Sequence, residues 1–341
     1  MASNINLKQL AEHVGLTPST VSRALNNYQD ISPTTRQRVQ AAAEALNYRP
    51  SRVAQQLARG KSRVDTVAYV MPPGVHRFSD PFFASFIAGI GDTLTAAERD
   101  LLITMPSCER SEIEVYRRLL RENKANAFIV ARTRPQDERI KLLQDNNIPF
   151  VCHGRTSRSK SYSWFDMDML AGAKLVAKRF IAQDRKRLAL ITPPEMFNFS
   201  RLLVQGYKHI IERSEGISLQ LQEGDMSEAS GFKITEAWLK DTKSIPDAIF
   251  CGSDAMAIGA MNAIQQHGLR VGPDIAVIGY GDFHLAAYVS PSLTTLRQPL
   301  KDAGEQVSRM LLRLLETPDC EPEHMLLPLQ LIERDSDRRI D

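Results

Sequence analysis

The stretch from Thr17 to Asn26, T-P-S-T-V-S-R-A-L-N, gathers side chains suited to contact with a nucleic acid. Thr17 predicts a helix N-cap, because its hydroxyl can accept from a backbone N–H that the first turn leaves unpaired. Pro18 stands at the first helical position, where a missing N–H costs nothing. On the helix that follows, Val21 and Leu25 are four residues apart and face inward, while Ser19, Thr20, Ser22 and Arg23 face outward. Hydroxyls reach phosphates and base edges, and a guanidinium grips guanine through two hydrogen bonds. The helix itself carries no carboxylate to oppose DNA. Leu7, Asn26, Ser32 and Tyr48 complete the predicted DNA-facing set of this region.

The neighbouring elements position that helix. Asn6-Leu7-Lys8-Gln9 has the spacing of a capping box and predicts a first helix over 7–13. Ala11 lies four residues before Gly15, as a helix-turn-helix requires: a small residue where helices cross and a Gly where the chain turns sharply. Leu10, Leu16, Val21 and Leu25 supply a small core. A third helix starts at Ser32-Pro33 and turns Val39, Ala42, Ala43 and Leu46 inward. A helical bundle without a DNA role is the plainer alternative, and the combined Ala, Gly and Val offsets favour the helix-turn-helix. Residues 1–63 hold nine Lys/Arg against three acids, a net +6; the whole chain is +3, which leaves −3 for the remainder. A basic head on a mildly acidic body matches attraction to backbone phosphates.

Residues 47–63 read N-Y-R-P-S-R-V-A-Q-Q-L-A-R-G-K-S-R. Pro50 disfavours helix at Arg49, Ser51 can cap a short helix over 52–59, and Gly60 can end it. So short a helix is unstable alone in water and orders only when something packs on it. Val53, Ala54 and Leu57 share a face flanked by Arg52, Arg59 and Lys61. That is the make-up of a minor-groove wedge, and equally of an interdomain linker.

From residue 64 onward, short apolar runs alternate with amphipathic ones. Strands are predicted at 66–70, 101–104, 127–130 and 149–152, separated by helices over 82–97, 111–121 and 137–144. A second series has helices over 170–182, 204–213, 231–240 and 254–267, with strands at 188–191, 248–251 and 275–278. Asp166 or Asp168 caps the helix at 170. Alternating strands and helices imply parallel sheets covered on both faces, and two series imply two lobes. Ligands bind such sheets at the carboxyl ends of the strands. That places Phe82 and Phe83 (after Asp80-Pro81), Arg132, His153, Arg155 and Phe199 at one cleft. Aromatic faces with bidentate polar groups suit a neutral polyhydroxyl ligand. Phe83 reads equally as core, and His153 equally as a structural histidine; Phe197 and Trp238 read as packing.

The head and the hinge S-R-V-A-Q-Q-L resemble the lactose-repressor/galactose-repressor (LacI/GalR) family. So do four body motifs: E-G-D-M-S-E-A-S-G-F from Glu223, C-G-S-D-A-M-A-I-G-A from Cys251, G-L-R-V-G-P-D-I-A-V-I-G-Y from Gly268 and S-P-S-L-T-T-L-R-Q-P from Ser290. The resemblance implies an all-α helix-turn-helix head (1–46), a hinge (47–63) and a two-lobed parallel α/β body (64–341) like periplasmic sugar-binding proteins. It implies an N-lobe near 64–162 and 296–329 and a C-lobe near 163–292. It implies that the helix from Pro18 reads the major groove, with Pro18, Ser19 and Arg23 choosing the operator. Ser51 and Arg52 open the hinge, Leu57 enters the minor groove, and Ala54 lets two hinge helices meet. In the cleft, Leu203 stands where the resemblance implies a ligand Arg, with Arg201 two residues earlier as the substitute. Met226 replaces a stacking aromatic, Ser253 replaces an Asn before Asp254, and Gly281 replaces an acid, with Asp282 next along.

A chain of 341 residues with 43% apolar and 24% charged residues is ordinary for a globular protein of two or three domains. No apolar run approaches the ~20 residues of a membrane span, and the N-terminus lacks a signal-peptide core. The cysteines, Cys108, Cys152, Cys251 and Cys320, form no CxxC pair and fit a reduced, cytoplasmic setting. No phosphate loop, nucleophile elbow, metal spacing or cofactor motif is present. Cys152 and His153 are adjacent on a strand and point to opposite faces, which argues against a nucleophile and base. A transport binding protein would leave the basic head without a role. The expectation is therefore a DNA-binding regulator without a cofactor, working as a homodimer on a double-stranded operator. Its small-molecule effector is expected to be a mono- or oligosaccharide, or alternatively a purine-type corepressor. The C-terminal E-R-D-S-D-R-R-I-D has no leucine heptads that would extend a dimer to a tetramer.

Overall fold

The computed structural model describes residues 5–26, 28–46, 48, 66–73, 81–157, 159–242 and 244–339. The chain divides into two units, Met1–Val64 and Asp65–Asp341.

The first unit has three helices, α1 (Leu7–His13), α2 (Pro18–Leu25) and α3 (Pro33–Ala45). Their starts are set by side chains. Asn6 accepts from the Gln9 amide and Gln9 accepts from the Asn6 amide. Thr17 accepts from Thr20 and Ser32 from Thr35. Gly15 takes φ +63° at the turn between α1 and α2, a conformation that favours a residue without Cβ. Leu10, Ala11, Val21, Ala24, Val39 and Ala43 form the core. Leu25, expected inward, is only half-buried; Ala24, three residues from Val21, takes the buried position.

The second unit contains two six-stranded sheets. The first has the order β11-β5-β4-β3-β1-β2 and is parallel throughout. Its strands are β1 (Thr66–Val70), β2 (Asp100–Thr104), β3 (Ala127–Ala131), β4 (Phe150–His153), β5 (Ser163–Met167) and β11 (His324–Leu327). The second has the order β12-β10-β9-β8-β6-β7, in which only β12 runs antiparallel. Its strands are β6 (Arg187–Thr192), β7 (Ser218–Glu223), β8 (Ala248–Cys251), β9 (Ala276–Gly281), β10 (Thr294–Arg297) and β12 (Gln330–Ile332). The chain thus leaves the first sheet after Met167, not at 162, and Thr294–Arg297 belongs to the second sheet. Both strands escaped the sequence reading because Ser163, Asp166, Thr294 and Thr295 are buried polar residues that interrupt the apolar runs.

Helices cover both sheets: α4 (Pro81–Ala96), α5 (Glu109–Arg121), α6 (Glu138–Asp145), α7 (Met169–Ala182), α8 (Asn198–Ile211), α9 (Glu228–Lys240), α10 (Asp254–Gln266) and α11 (Leu300–Glu316). Asp168, rather than Asp166, caps α7 by accepting from Ala171. Helix α4 packs on α11 at backbone contact. A Cβ on Gly89 would lie 2.1 Å from the Lys301 carbonyl oxygen, and one on Gly304 2.2 Å from that of Phe86. That crossing fixes the start of α4, and with it Phe82, against the carboxyl ends of the first sheet.

A buried ionic network ties α5 to α6. Arg139 is 1% exposed and Glu112 fully buried. The Arg139 guanidinium donates to Glu112 at 2.8 Å and to both oxygens of Asp137 at 2.9 and 2.7 Å. Arg134 donates to the other Glu112 oxygen at 2.6 Å. Burial alone would raise the Asp137 carboxyl, but the charge and hydrogen bond of Arg139 hold it below the usual carboxylate range. Arg139 also donates to the carbonyl of Arg132 at 3.0 Å.

Removing one partner from such a network strands buried charge. Arg139→Met is therefore expected to destabilise the body by about 3–5 kcal/mol, read as a lowered urea midpoint at unchanged slope. A loss below about 1 kcal/mol would mean that the surviving carboxylates find water.

Candidate functional site

In the head, Thr17, Pro18, Ser19, Arg23 and Ser32 are exposed, and Leu7, Thr20, Ser22, Asn26 and Tyr48 are half-buried. Ser19, Ser22 and Arg23 sit on the face of α2 opposite Val21 and Ala24. Thr17 and Ser32 are engaged as caps. Asn26 donates to the Ser22 carbonyl at 2.8 Å, closing α2. Leu7 and Tyr48 lean on the core. One feature departs from expectation: a carboxylate does reach the outward face, since Asp30 forms an ion pair with Arg23. The hinge residues Ser51, Arg52, Ala54 and Leu57 lie outside the described residues, as does Asp80.

In the body, a cleft opens between the carboxyl ends of the two sheets. Phe82, Arg132, Thr133, His153, Gly154, Arg155, Asp166 and Met167 line it from the first lobe; Phe199, Met226, Gly252, Ser253, Tyr280, Phe283 and Gln298 line it from the second. Seven predicted residues thus meet there: Phe82, Arg132, His153, Arg155, Phe199, Met226 and Ser253. Ser253 also caps α10 by accepting from Met256.

Arg132 follows β3 and takes φ +50°, unusual for a residue with a side chain. Its guanidinium lies over Phe83 at 4.7 Å and Phe82 at 5.5 Å in its own lobe, and over Phe197 of the other at 5.7 Å. His153 packs edge-on to Phe82 and Phe86 and stacks on Phe165. Burial, and then the Arg132 charge, push its imidazole down to about 4, so it is neutral at pH 7. Its Nε2 is buried without a hydrogen-bond partner among the described residues. Cys152 faces a different core cluster, away from the His153 ring.

Arg155 pairs with Asp166 at 3.1 Å and lies over Trp164 at 5.6 Å. Burial raises the Asp166 carboxyl to about 7 although Arg155 pulls the other way. The lobes are joined across the cleft by Asn198. Its amide donates to the Thr133 carbonyl at 2.8 Å and its side chain to the Arg155 carbonyl at 2.9 Å.

Four predicted residues lie elsewhere. Phe83 is in the core beneath Arg132. Arg201 points outward on α8 and donates to the Glu195 carbonyl at 3.1 Å. Asp254 is fully buried, accepting from the Phe283 amide at 2.8 Å and from Thr295 at 2.5 Å, and burial raises its carboxyl to about 6. Asp282 holds Arg297 and Arg334 at 2.6 Å each. Leu203, where a ligand Arg was implied, is wholly in the core. Asp166, Tyr280, Phe283 and Gln298 were missed as cleft residues. They end or follow strands β5, β9 and β10, two of which the sequence reading did not recognise.

Comparison with known proteins is consistent across the chain. Residues 6–51 match the model of bacterial regulatory proteins of the lacI family, and 177–336 match a periplasmic binding protein-like domain. The HTH-type transcriptional regulator AglR of Rhizobium meliloti is 34% identical over 97% of this chain and 94% of its own. The lac repressor dimer bound to operator and an anti-inducer superposes with a TM-score of 0.86 at 27% identity, covering 98% of this chain and all of that one. The CelR–cellobiose complex superposes with a TM-score of 0.73 at 26% identity, again over 98% and 100%.

The Asp166 carboxyl gives a pH signature. Its value in the folded chain lies above the ordinary one, so the fold holds a proton that the unfolded chain has lost. Stability must therefore fall as pH rises from about 4 to about 7. In urea unfolding at pH 5 and pH 8, wild type should lose ground to Asp166→Asn at the higher pH. A stability difference between the two that is the same at both pH values, or that shifts in favour of wild type at pH 8, would place the carboxylate in a solvated setting.

Proposed function

The chain belongs to the lacI family of bacterial regulatory proteins, and on that premise we propose that it is a carbohydrate-responsive repressor, released from a palindromic operator by a neutral sugar. The family consists of DNA-binding transcriptional regulators, not enzymes. The observation that carries the sugar reading is the composition of the cleft. Phe82, Phe199, Tyr280 and Phe283 offer aromatic faces for the CH surfaces of a pyranose. Arg155, Asp166 and the unpartnered Nε2 of a neutral His153 offer hydrogen bonds to hydroxyls. A relative whose solved complex holds cellobiose supports the same ligand class.

Two heads reading half-sites one DNA turn apart require two copies of the chain. Leu285 and Tyr288, 60% and 72% exposed on and beside the short turn His284–Ala287, form an apolar surface that a second copy of the chain would cover. Asn198 and Arg132 bridge the lobes, so a ligand seated between them changes the balance of closed and open forms. Operator and sugar then bias one equilibrium, each weakening the other by the same factor. No helix among the described residues is long and apolar enough to cross a membrane, and a cytoplasmic site of action follows from the DNA target.

A thermal-shift screen of neutral mono- and disaccharides, followed by calorimetry on any hit, tests the ligand class. Asp166→Ala and Arg132→Ala are expected to weaken the hit by about 10- to 100-fold, since each removes a charged hydrogen-bonding partner. Affinity unchanged in both variants, or a screen in which only purines stabilise, would overturn the sugar reading. Arg23→Ala and Leu57→Ala should each abolish operator binding in a gel shift while the body melts as in wild type. In light scattering at micromolar concentration the chain should be a dimer, and Tyr288→Asp should shift it toward monomer; a tetramer would contradict this.

A further inference from the structure

Arg23 is the base-reading cation of the proposed recognition helix, yet its guanidinium is already paired with Asp30, seven residues along the chain. The pair is not a chance meeting of mobile side chains. The Tyr28 amide donates to the Arg23 carbonyl at 3.1 Å, and Arg36 donates to the carbonyls of Tyr28 at 2.9 Å and Ile31 at 3.3 Å. The segment from Tyr28 to Ile31 is thus tied to the end of α2 and the start of α3, with the Tyr28 ring 5.4 Å from the Arg23 guanidinium. Asp30 is presented to Arg23 by fixed backbone. Both side chains are about half exposed, 48% and 49%.

We propose that Asp30 is an affinity-setting residue of the head, a built-in counter-ion that any DNA recruiting Arg23 must displace. The proposal rests on the reading of Arg23 as a base contact. Relative strengths decide how far each duplex does so. An exposed ion pair is worth less than about fivefold in an equilibrium constant, comparable with one screened phosphate contact. A bidentate grip on guanine is worth about 5- to 150-fold. Guanine therefore displaces Asp30 and bears the full cost of breaking the pair, whereas a lone phosphate displaces it only in part and bears less of that cost. Asp30 thus lowers the affinity of each head for operator by up to about fivefold, and for random DNA by less.

The test compares wild type, Asp30→Asn, Asp30→Ser, Arg23→Ala and the Arg23→Ala/Asp30→Asn double variant. Each is titrated into a palindromic duplex selected by the protein from a random pool and into a random duplex of equal length, across a salt series. Both Asp30 variants should bind the selected duplex about 2- to 5-fold more tightly per head. The random duplex should tighten by less, with a salt slope that steepens by less than one counter-ion per head. In the Arg23→Ala background Asp30→Asn should change nothing. Three results would overturn the proposal. The first is selected-duplex affinity unchanged in both variants; the second is a selected duplex that weakens, making Asp30 an orienting group; the third is an effect that persists without Arg23, making it bulk charge. Selected-duplex affinity unchanged in Arg23→Ala would instead defeat the underlying reading of Arg23.

Discussion

The cleft depends on one buried contact. Arg139 sits in the interior between Glu112 and Asp137 and spends one of its remaining donors on the carbonyl of Arg132. Arg132 is held there at a positive φ that a side chain ordinarily avoids. The unusual backbone turns the Arg132 guanidinium across the cleft, over Phe82 and Phe83 on one side and toward Phe197 on the other. An apolar core at this place would have been simpler to stabilise. The ionic network fixes a direction as well as a contact, because a guanidinium with its donors engaged cannot rotate.

The same cleft is where the lobes communicate. Asn198 at the start of α8 donates to two carbonyls of the opposite lobe, and Arg132 reaches the aromatic pair Phe197 and Phe199. A ligand seated here would insert among the groups that bridge the lobes. Ligand contact and lobe closure thus share atoms, which is the physical requirement for a ligand to bias a conformational equilibrium. In the head an analogous economy holds: Thr17 and Ser32, candidates for phosphate contact, already serve as helix caps, and Arg23 already has a partner.

Much of this was legible in the residue order. Cap residues, two of them followed by proline, located the starts of the three head helices, because N-cap chemistry is local. Continuous apolar runs located β1, β3, β4 and β8. Of the strands that were missed, β5, β7, β10, β11 and β12, two (β5 and β10) carry Ser163, Asp166, Thr294 and Thr295 in buried positions, where tertiary hydrogen bonds replace hydrophobicity. The cleft followed the same division. Residues directly after recognised strands, such as Arg132, His153 and Arg155, were found. Asp166, Tyr280, Phe283 and Gln298 were not, because their strands were unseen or their ends misjudged. Asp254, Asp282 and Arg201 were placed at the cleft by motif position alone. Each is instead consumed by local structure: a buried carboxylate under the Phe283 amide, an anchor for two arginines, and a cation turned to solvent.

The central claim is that a neutral sugar between the lobes loosens the grip of the heads on DNA. It is tested most directly by fluorescence anisotropy of a labelled palindromic duplex, selected by the protein itself, as cellobiose and other neutral sugars are added to the preformed complex. The account predicts a dose-dependent fall to the free-duplex value with at least one neutral sugar and no fall with purine bases. Anisotropy that holds through every sugar, or rises only when a purine is added, would contradict it.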